Sequence, residues 1–370
     1  MLVVSPDKVI EVPAGPEAVT ASWLTEVFRS AGLIRGAVVR SFVMRPVGVE
    51  AGYAARLARF VLDYDKPSPG APASIIGKFA SADPQVHLFS QNSSAREIRF
   101  YEAMAPRQPL PVPHCYYSAL DLETGACTLL LEDLAALRMP DLVAGCDEED
   151  AERVVRLLAV VHARWWQHPA LQKMAWLPCI DAYAACPFQA WWARYPQTVA
   201  ALLPDYRLPD AFLAMGHRFS NAMAEVFAPL ATPPLTCIHR DVHAENLFFG
   251  TTDDDPPLVL FDWQLVGRGR GVSDVTYFMI SSMPPALRRQ SERPLLRLYH
   301  RLLTEYGVRG YGFDQCWADY QRAFFGKLMV TVAATVLFDN ESPRRRAWRK
   351  ADLQRLVAFL ENHRLEAFLG

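Results

Sequence analysis

Three polar side chains have the types and the spacing that phosphoryl transfer requires. Asp241 and Asn246 lie five residues apart in the stretch 237–246, and Asp262 follows directly after the apolar run 258–261. In a phosphoryl-transfer site one Asp accepts the proton of the acceptor hydroxyl, while an Asn and a second Asp hold magnesium on the nucleotide phosphates. Magnesium prefers such hard oxygen ligands. We therefore predict that Asp241 is the base and that Asn246 and Asp262 are Mg²⁺ ligands.

This stretch resembles the catalytic core of the aminoglycoside phosphotransferase and choline kinase family, within the protein-kinase-like superfamily. His239, Asp241 and Asn246 match the family pattern His-x-Asp-x-x-x-x-Asn. Asp262 matches the second metal-binding Asp, in Asp-Trp-Gln where protein kinases usually carry Asp-Phe-Gly. The resemblance implies an O-phosphotransferase with ATP or GTP as co-substrate and Mg²⁺ as cofactor. His239 is expected to brace the catalytic loop by hydrogen bonding.

A glycine-bearing turn precedes these motifs in the N-terminal part of the chain. Strand-like runs at 38–47 and 56–64 flank a segment that contains Gly48 and Gly52. Two strands joined in this way could cover nucleotide phosphates with backbone N–H groups. The alternative is a hairpin turn whose glycines serve only to adopt positive φ.

Lys78 lies inside the apolar, strand-like run 73–80. The resemblance implies that this lysine binds the α- and β-phosphates of the nucleotide. It also implies that a Glu of the following helix pairs with the lysine. Glu97 is our choice, because an apolar stripe runs beside it, and Glu102 is the second candidate. The alternative is that both are ordinary surface charges.

Two further strands, at 114–120 and 127–132, complete a predicted five-stranded antiparallel sheet. The resemblance places the hinge between two lobes at the end of the second of these strands. Glu132 and Leu134 are thereby implied to meet the nucleotide base through their backbone. The alternative is that Glu132 and Asp133 cap the next segment.

The order of the elements predicts an α+β protein, and the resemblance implies a protein-kinase-like bilobal fold. We place an N-terminal nucleotide-binding lobe, with the hinge at its end, at residues 1–134. A larger, mostly helical lobe with the catalytic loop and the acceptor site takes residues 135–370. Helical spacing of apolar residues predicts helices over 17–32, 150–166, 284–308, 313–338 and 343–368.

Two residues and one segment of the C-terminal part have predicted roles outside the proposed transfer chemistry. His162 falls near an apolar helix face, where a hydrogen-bonded core histidine is favoured over a metal ligand. The glycine-rich segment 267–271 lacks the strand and the acidic residue of a dinucleotide fingerprint, so we interpret it as a flexible linker. The resemblance implies that Asp274 hydrogen-bonds the backbone of the catalytic loop.

Composition limits the partners and the compartment. The 370 residues carry a net charge of -2, which argues against a nucleic-acid partner. The seven cysteines are irregularly spaced, so we expect a reducing compartment instead of a disulfide framework. We expect no signal peptide, because residues 1–8 have no basic segment that leads into a long apolar one, and no membrane span, because no apolar run approaches about 18 residues. We expect a cytoplasmic protein without a membrane partner.

The acceptor is expected to be a small molecule with a hydroxyl group, such as an antibiotic, another natural product or a metabolite. Aminoglycosides are polycations, and residues 150–235 contain no acidic cluster to bind one. The aromatic residues of 176–235 could line a pocket for a less charged acceptor, for example a macrolide, a sterol-like compound or a nucleoside. Core packing is the alternative role for most of these aromatic side chains.

Three other functions compete with this hypothesis. His239, Asp241, His243 and Asp262 could serve a metal-dependent phosphoesterase or hydrolase. A non-catalytic nucleotide-binding protein of kinase shape is the second alternative. A protein-substrate kinase is the third, although the segment after Asp262 has no Ala-Pro-Glu motif. The small-molecule kinase hypothesis requires Lys78 to lie close to Asp262 and Asp241 to face Asn246.

Overall fold

The computed structural model describes most of the chain and divides it into two compact units. The described residues are 10–48, 55–81, 84–107, 110–121, 123–338 and 342–369, with the backbone alone described over 84–91. Unit 1 runs to Arg138 and also contains Thr251–Gln264, whereas unit 2 comprises Met139–Gly250 and Leu265–Gly370. Asp262 thus belongs to unit 1, and Asp241 belongs to unit 2. The division after residue 134 stays a prediction.

Unit 1 is built on a five-stranded antiparallel sheet in the order β1-β2-β3-β5-β4. Its strands are β1 Val39–Val47, β2 Ala55–Tyr64, β3 Ser74–Ala80, β4 Cys115–Leu120 and β5 Cys127–Glu132. Two helices accompany the sheet, α1 Ala21–Ser30 and α2 Pro84–Ala103. The predicted five-stranded antiparallel sheet is confirmed.

The two faces of this sheet have different tasks because successive strand residues point to opposite sides. Ile75 and Phe79 of β3 are fully buried in a core cluster that also contains Leu24 and Phe28 of α1. Lys78 directly precedes Phe79 and therefore projects from the other face. The helix α1 supplies the apolar cover of one face, and this leaves the opposite face to carry the lysine.

Unit 2 is mostly helical. Its α-helices are α3 Glu148–Arg164, α4 Pro169–Lys173, α5 Phe188–Leu202, α6 Asp210–Phe227, α7 Val272–Ser282, α8 Pro285–Glu305, α9 Phe313–Arg322, α10 Phe324–Leu337 and α11 Pro343–Asn362. Short strands in the catalytic region are β6 Thr236–Ile238, β7 Leu247–Phe249, β8 Leu258–Leu260 and β9 Gly267–Gly269, of which β8 belongs to unit 1. The predicted α+β class is confirmed. No helix in the part of the chain that the structure describes has the length and apolar character to cross a membrane.

The interpretation of 267–271 as a flexible linker is wrong. Gly267–Gly269 forms β9, which pairs antiparallel with β6, the strand directly before residues 239–246. A Cβ atom at Gly267 would lie 2.9 Å from the Pro178 carbonyl oxygen, and one at Gly269 would lie 2.8 Å from the Ile238 side chain. The glycines are there because the strand passes close to its neighbours, a reason that flexible linkers do not share.

The single helix predicted over 313–338 is two helices, α9 and α10, separated at Ala323. The Thr276 hydroxyl of α7 donates to the Tyr320 carbonyl oxygen at 3.0 Å. In a continuous helix that carbonyl would accept the amide four residues later. The break between α9 and α10 thus lies beside a contact with another helix, and sequence periodicity does not register such a contact.

Candidate functional site

Lys78 of unit 1 lies between two carboxylates, and we call Lys78, Glu97 and Asp262 the lysine cluster. The Lys78 Nζ atom is 2.6 Å from Glu97 Oε2 and 2.8 Å from Asp262 Oδ1. Glu97 is 1% exposed. Residues 184 positions apart in sequence thereby meet in the way that the kinase hypothesis requires of Lys78 and Asp262.

Burial and charge act against each other in the lysine cluster. Burial would lower the pKa of Lys78, but the charges of Asp262 and Glu97 outweigh it and raise the pKa well above its ordinary value. Burial raises the pKa of Glu97, and the Lys78 charge opposes this rise. An ammonium group with a raised pKa stays charged at neutral pH, as a ligand of phosphate oxygens must.

The helix α2 selects Glu97 over the second candidate, Glu102. Ile98 is buried on the side of α2 that packs against the rest of unit 1, and the neighbouring Glu97 side chain is buried with it. Glu102 is exposed and accepts a hydrogen bond from the Ser118 hydroxyl at 3.2 Å. The nucleotide-binding role of Glu97 stays a prediction, but its contact with Lys78 does not depend on that role.

Asp262 occupies an unusual backbone conformation. Its φ is 63°, in the left-handed region that favours glycine. The next residue, Trp263, is fully buried, stacks on Phe100 with ring centroids 4.1 Å apart, and donates from Nε1 to the Leu260 carbonyl oxygen. This packing fixes the segment and holds the Asp262 carboxylate on Lys78 despite the strain.

The other predicted nucleotide-binding residues of unit 1 are placed as follows. Gly48 directly follows β1 with φ at 66°, and Gly52 lies outside the described residues. Glu132 ends β5, and its side chain accepts a hydrogen bond from the His114 amide at 3.0 Å. Leu134 is buried. The Glu132 side chain thus has a local structural contact, and the predicted hinge role rests on the backbone alone.

In unit 2, residues 239–246 form what we call the aspartate loop, which begins directly after β6. Asp274 of α7 holds this loop from within, because its carboxylate accepts the amides of His239 at 2.6 Å and Arg240 at 2.8 Å. The Asp274 side chain is 1% exposed. The contact that the resemblance implied for Asp274 is confirmed.

His162 supports Asp274 from α3. Its Nε2 atom lies 3.2 Å from Asp274 Oδ2, and its Nδ1 atom lies 2.8 Å from the Tyr299 hydroxyl. The histidine is fully buried, and both of its ring nitrogens are hydrogen-bonded. The prediction of a core histidine is confirmed, and its contact with Asp274 links α3 to the aspartate loop.

Arg240 carries the second strained backbone in these two segments, with φ at 71°. It is buried, its Nε donates to the Tyr183 hydroxyl at 3.0 Å, and its guanidinium lies 4.0 Å above the centre of the Tyr183 ring. Stacking and hydrogen bonding therefore hold the side chain while Asp274 holds the backbone amide. Left-handed backbone at non-glycine residues is enriched at functional sites, and two of the three such residues in the described part of the chain, Arg240 and Asp262, lie in these segments.

Asp241 and Asn246 face each other across the aspartate loop. The Asn246 amide nitrogen donates to the Asp241 carbonyl oxygen at 2.9 Å and lies 3.5 Å from Asp241 Oδ2. The Asp241 amide donates to His239 Nδ1 at 3.3 Å. Because the Asn246 nitrogen binds the loop, its side-chain oxygen is turned away from the loop. The facing arrangement that the kinase hypothesis requires is present.

Asn246 of unit 2 and Asp262 of unit 1 each present an oxygen donor of the type that Mg²⁺ prefers. Asn246 presents an amide oxygen whose orientation is set by its nitrogen, and Asp262 contributes a carboxylate. Both are hard oxygen donors, and Mg²⁺ commonly binds one or two such groups while it keeps water and substrate phosphate oxygens as further ligands. The two residues are therefore suitable magnesium ligands by type.

The histidine-rich alternative was a metal-dependent hydrolase. His243 Nε2 lies 3.8 Å from Asp241 Oδ1, and the His239 Nδ1 atom accepts the Asp241 amide. Among the residues that the structure describes, no group of three or more His, Cys, Asp and Glu side chains is arranged to hold a metal ion.

One neighbour of Asp241 was missed in the sequence. The Tyr277 hydroxyl donates to Asp241 Oδ1 at 2.7 Å. Burial, reinforced by the Asp241 charge, raises the pKa of Tyr277 well above its ordinary value, so the hydroxyl stays protonated and remains a donor. Tyr277 lies three residues after Asp274 on α7. That spacing puts both side chains on one side of the helix, which is the signal that could have found it.

Comparison with known proteins agrees with this arrangement. A model of the phosphotransferase enzyme family matches residues 83–313, a range that contains Glu97, the aspartate loop, Asp262 and Asp274. No curated protein matches the chain.

Solved structures share the fold at low sequence identity. The GDP complex of wild-type aminoglycoside 2'-phosphotransferase-IIIa is 11% identical over 88% of this chain and 95% of its own, with a TM-score of 0.52. Choline kinase from Cryptosporidium parvum Iowa II is 9% identical over 91% of this chain and 94% of its own, also with a TM-score of 0.52. The predicted protein-kinase-like fold of small-molecule kinases is thereby confirmed.

The family match covers more than half of the chain, and it begins just after the strand that carries Lys78. The match therefore does not include Lys78, so the contacts of Lys78 with Glu97 and Asp262 are an observation separate from it. The chain belongs to the phosphotransferase enzyme family, and the enzyme class predicted from the sequence is confirmed.

Proposed function

We propose that the protein transfers the γ-phosphoryl group of ATP or GTP to a hydroxyl group of a small molecule. The observation that carries this proposal is the lysine cluster, in which one partly buried ammonium is shared between the buried Glu97 and Asp262. Phosphoryl transfer depends chiefly on positioning and on neutralising phosphate charge. A strand lysine held by a helix glutamate serves that task, and a phosphoesterase built on histidines and aspartates has no use for it.

Each residue of the lysine cluster has a part in nucleotide binding under this proposal. Lys78 neutralises the phosphates that are not transferred, and Glu97 keeps the Lys78 side chain extended and in place. Asp262 and Asn246 would hold the magnesium ion, which, when bound, neutralises charge that develops on the phosphate oxygens. The backbone at Gly48 and around Glu132 and Leu134 is proposed to cover the phosphates and to meet the base.

Asp241 is proposed as the base that accepts the proton of the acceptor hydroxyl. Its carboxylate accepts the Tyr277 hydroxyl at 2.7 Å, and the Asn246 amide nitrogen lies 3.5 Å from its other oxygen. Deprotonation can be late in such a reaction, so an ordinary carboxylate suffices. His239 acts through the loop, because it accepts the Asp241 amide hydrogen bond.

The acceptor class is supported by named relatives of the fold. One solved relative is described as the GDP and kanamycin complex of an aminoglycoside phosphotransferase, 12% identical over 88% of this chain and 94% of its own, with a TM-score of 0.51. Another is a choline kinase. Both names point to hydroxyl-bearing small molecules. The chain's own aromatic residues favour a less charged acceptor than an aminoglycoside.

The proposal is tested by nucleotide turnover with a panel of acceptors. MgATP and MgGTP are each incubated with kanamycin, choline, a macrolide, a sterol and a nucleoside, and the phosphorylated product is identified by mass. The wild type should phosphorylate at least one hydroxyl compound, and Asp241→Ala should lower its turnover by at least about 100-fold, within the range that a positioned base contributes.

Nucleotide binding should largely survive in Asp241→Ala, whereas Asp262→Ala should lose magnesium-dependent binding. Asp205→Ala, which changes an exposed carboxylate in unit 2, is the matched control and should behave as wild type. Transfer at the wild-type rate by Asp241→Ala would remove Asp241 as the base. Turnover with zinc or manganese of a phosphoester, without nucleotide, would support the hydrolase instead.

A further inference from the structure

Tyr277 connects the helix that anchors the aspartate loop to the carboxylate that the loop presents. It lies on α7, one helical turn after Asp274, and is 7% exposed. Asp274 binds the loop's backbone amides, while the Tyr277 hydroxyl binds the Asp241 side chain at 2.7 Å. One rigid helix therefore fixes both the position of the loop and the orientation of its carboxylate.

The contact with Tyr277 makes the two oxygens of Asp241 inequivalent. Oδ1 accepts the Tyr277 hydroxyl at 2.7 Å, and His243 Nε2 lies 3.8 Å from the same atom. Oδ2 lies 3.5 Å from the Asn246 amide nitrogen, at the limit of a hydrogen bond. Hydrogen bonds to an ionised carboxylate are short and strong, so Oδ1 is the engaged oxygen and Oδ2 the more available one.

The Tyr277 ring also contacts a buried ion pair, which Lys327 and Asp352 form. The Lys327 Nζ atom lies 4.7 Å from the centre of the Tyr277 ring and 2.8 Å from Asp352 Oδ1. The side chains of this pair are 3% and 0% exposed. The Thr331 hydroxyl donates to the other Asp352 oxygen at 2.7 Å. An ammonium over the face of an aromatic ring is an attractive contact, and it is stronger where it is shielded from water.

We propose that Tyr277 is a positioning residue for the transfer reaction: it holds the Asp241 carboxylate in one rotamer and leaves Oδ2 to accept the proton. This inference rests on the proposed role of Asp241. As the acceptor oxygen forms its bond to the γ-phosphorus, the bond from that phosphorus to the leaving diphosphate oxygen breaks. The acceptor O–H bond breaks as well, and its proton passes to Oδ2. The products are the phosphate ester and the nucleoside diphosphate.

The test compares two tyrosines that differ in what they orient. Tyr277→Phe removes the hydroxyl but keeps the ring over which Lys327 lies. Tyr320→Phe is the matched control, because Tyr320 is a fully buried tyrosine of unit 2 that donates to a carboxylate, Glu292 Oε2 at 3.0 Å. Both variants are assayed for kcat, for KM of the nucleotide and for melting temperature. The acceptor is the panel compound with the highest turnover, and water serves as acceptor if none reacts.

Tyr277→Phe should lower kcat about 10- to 100-fold, because misplacing a reacting group by about 1 Å costs up to about 100-fold in rate. The nucleotide KM should stay within about twofold of wild type. Tyr320→Phe should lose a similar amount of melting temperature but keep kcat within about twofold. Wild-type kcat in Tyr277→Phe, or an equal fall of kcat in Tyr320→Phe, would overturn the inference.

The same measurements separate this inference from the proposed function. If Asp241→Asn lowers transfer by at least about 100-fold and leaves a measurable residual rate, and Tyr277→Phe does not slow transfer, the positioning role fails and the role of Asp241 stands. If Asp241→Asn transfers at the wild-type rate, the role of Asp241 fails and the positioning role fails with it. A kcat loss in Tyr277→Phe that is absent when Asp241 has already been changed to Asn shows that Tyr277 acts through Asp241.

Discussion

The lysine cluster and the aspartate loop hold their key side chains by opposite means. In the lysine cluster the Lys78 ammonium is partly buried and forms ion pairs with two carboxylates. In the aspartate loop Asp241 is held by a neutral tyrosine hydroxyl, and the loop backbone is held by amide hydrogen bonds to Asp274. One region concentrates opposite charges, and the other region positions a carboxylate with neutral donors.

The difference follows from what each group is proposed to do. A phosphate-binding lysine must stay charged, and neighbouring carboxylates favour its charged form. A base must be able to take a proton, and a close cation would favour its deprotonated form and reduce that capacity. A hydroxyl group can orient a carboxylate at a smaller cost to its basicity. The comparison predicts that charge-removing changes are most damaging in the lysine cluster.

The largest effect is expected from Lys78→Met. Glu97 would remain buried without its cation, and breaking one side of a buried pair costs about 3–5 kcal/mol. The penalty should be smaller at pH 5 than at pH 8, because burial raises the pKa of Glu97 and the protonated form is the cheaper one to bury. Chemical denaturation at both pH values measures the free energy of unfolding.

A double variant sharpens this prediction. Lys78→Met combined with Glu97→Leu removes both charges, so most of the lost stability should return while nucleotide binding stays weak. Recovery of nucleotide binding together with stability would show that Lys78 has no direct phosphate contact. If the single variant were as stable as wild type at pH 8, the ion pairs would not set the properties of this region.

A smaller effect is expected from Asp274→Asn in unit 2. The amide side chain can accept one backbone N–H of the loop, but its own NH₂ group then meets the other. One buried donor left unsatisfied costs about 1–3 kcal/mol. We expect a loss of that size in the free energy of unfolding, with local exchange of the His239 and Arg240 amide hydrogens accelerated. Unchanged exchange at those two amides would contradict the anchoring role.

The sequence predicted much of this arrangement, and its failures have physical causes. The sequence predicted that Lys78 lies close to Asp262 and that Asp241 faces Asn246, because proteins of one fold keep the same motif spacing. Tyr277 was missed because the three-residue spacing from Asp274 places it on the same side of α7 but does not reveal its contact with Asp241. The strand β9 was missed because its glycines relieve close packing, and packing partners cannot be seen in a linear pattern.

The smallest effect is expected from Glu102→Ala. Glu102 is exposed, and it accepts one hydrogen bond from Ser118 on the surface of unit 1. Exposed contacts of this kind contribute less than about 1 kcal/mol. Nucleotide affinity, measured by calorimetric titration, should match that of wild type, whereas Glu97→Ala should weaken it. Equal losses of nucleotide affinity in both variants would mean that Glu97 contributes no more to nucleotide binding than the exposed Glu102.

The left-handed backbone of Arg240 has a consequence for tolerance to substitution. Glycine adopts this conformation without strain, whereas alanine and most other residues incur about 1–2 kcal/mol. Any replacement also forfeits the stacking on Tyr183, so both small residues lose that contact equally. At most positions a change to glycine destabilises a protein more than a change to alanine. At position 240 we expect the opposite, with Arg240→Gly losing less free energy of unfolding than Arg240→Ala.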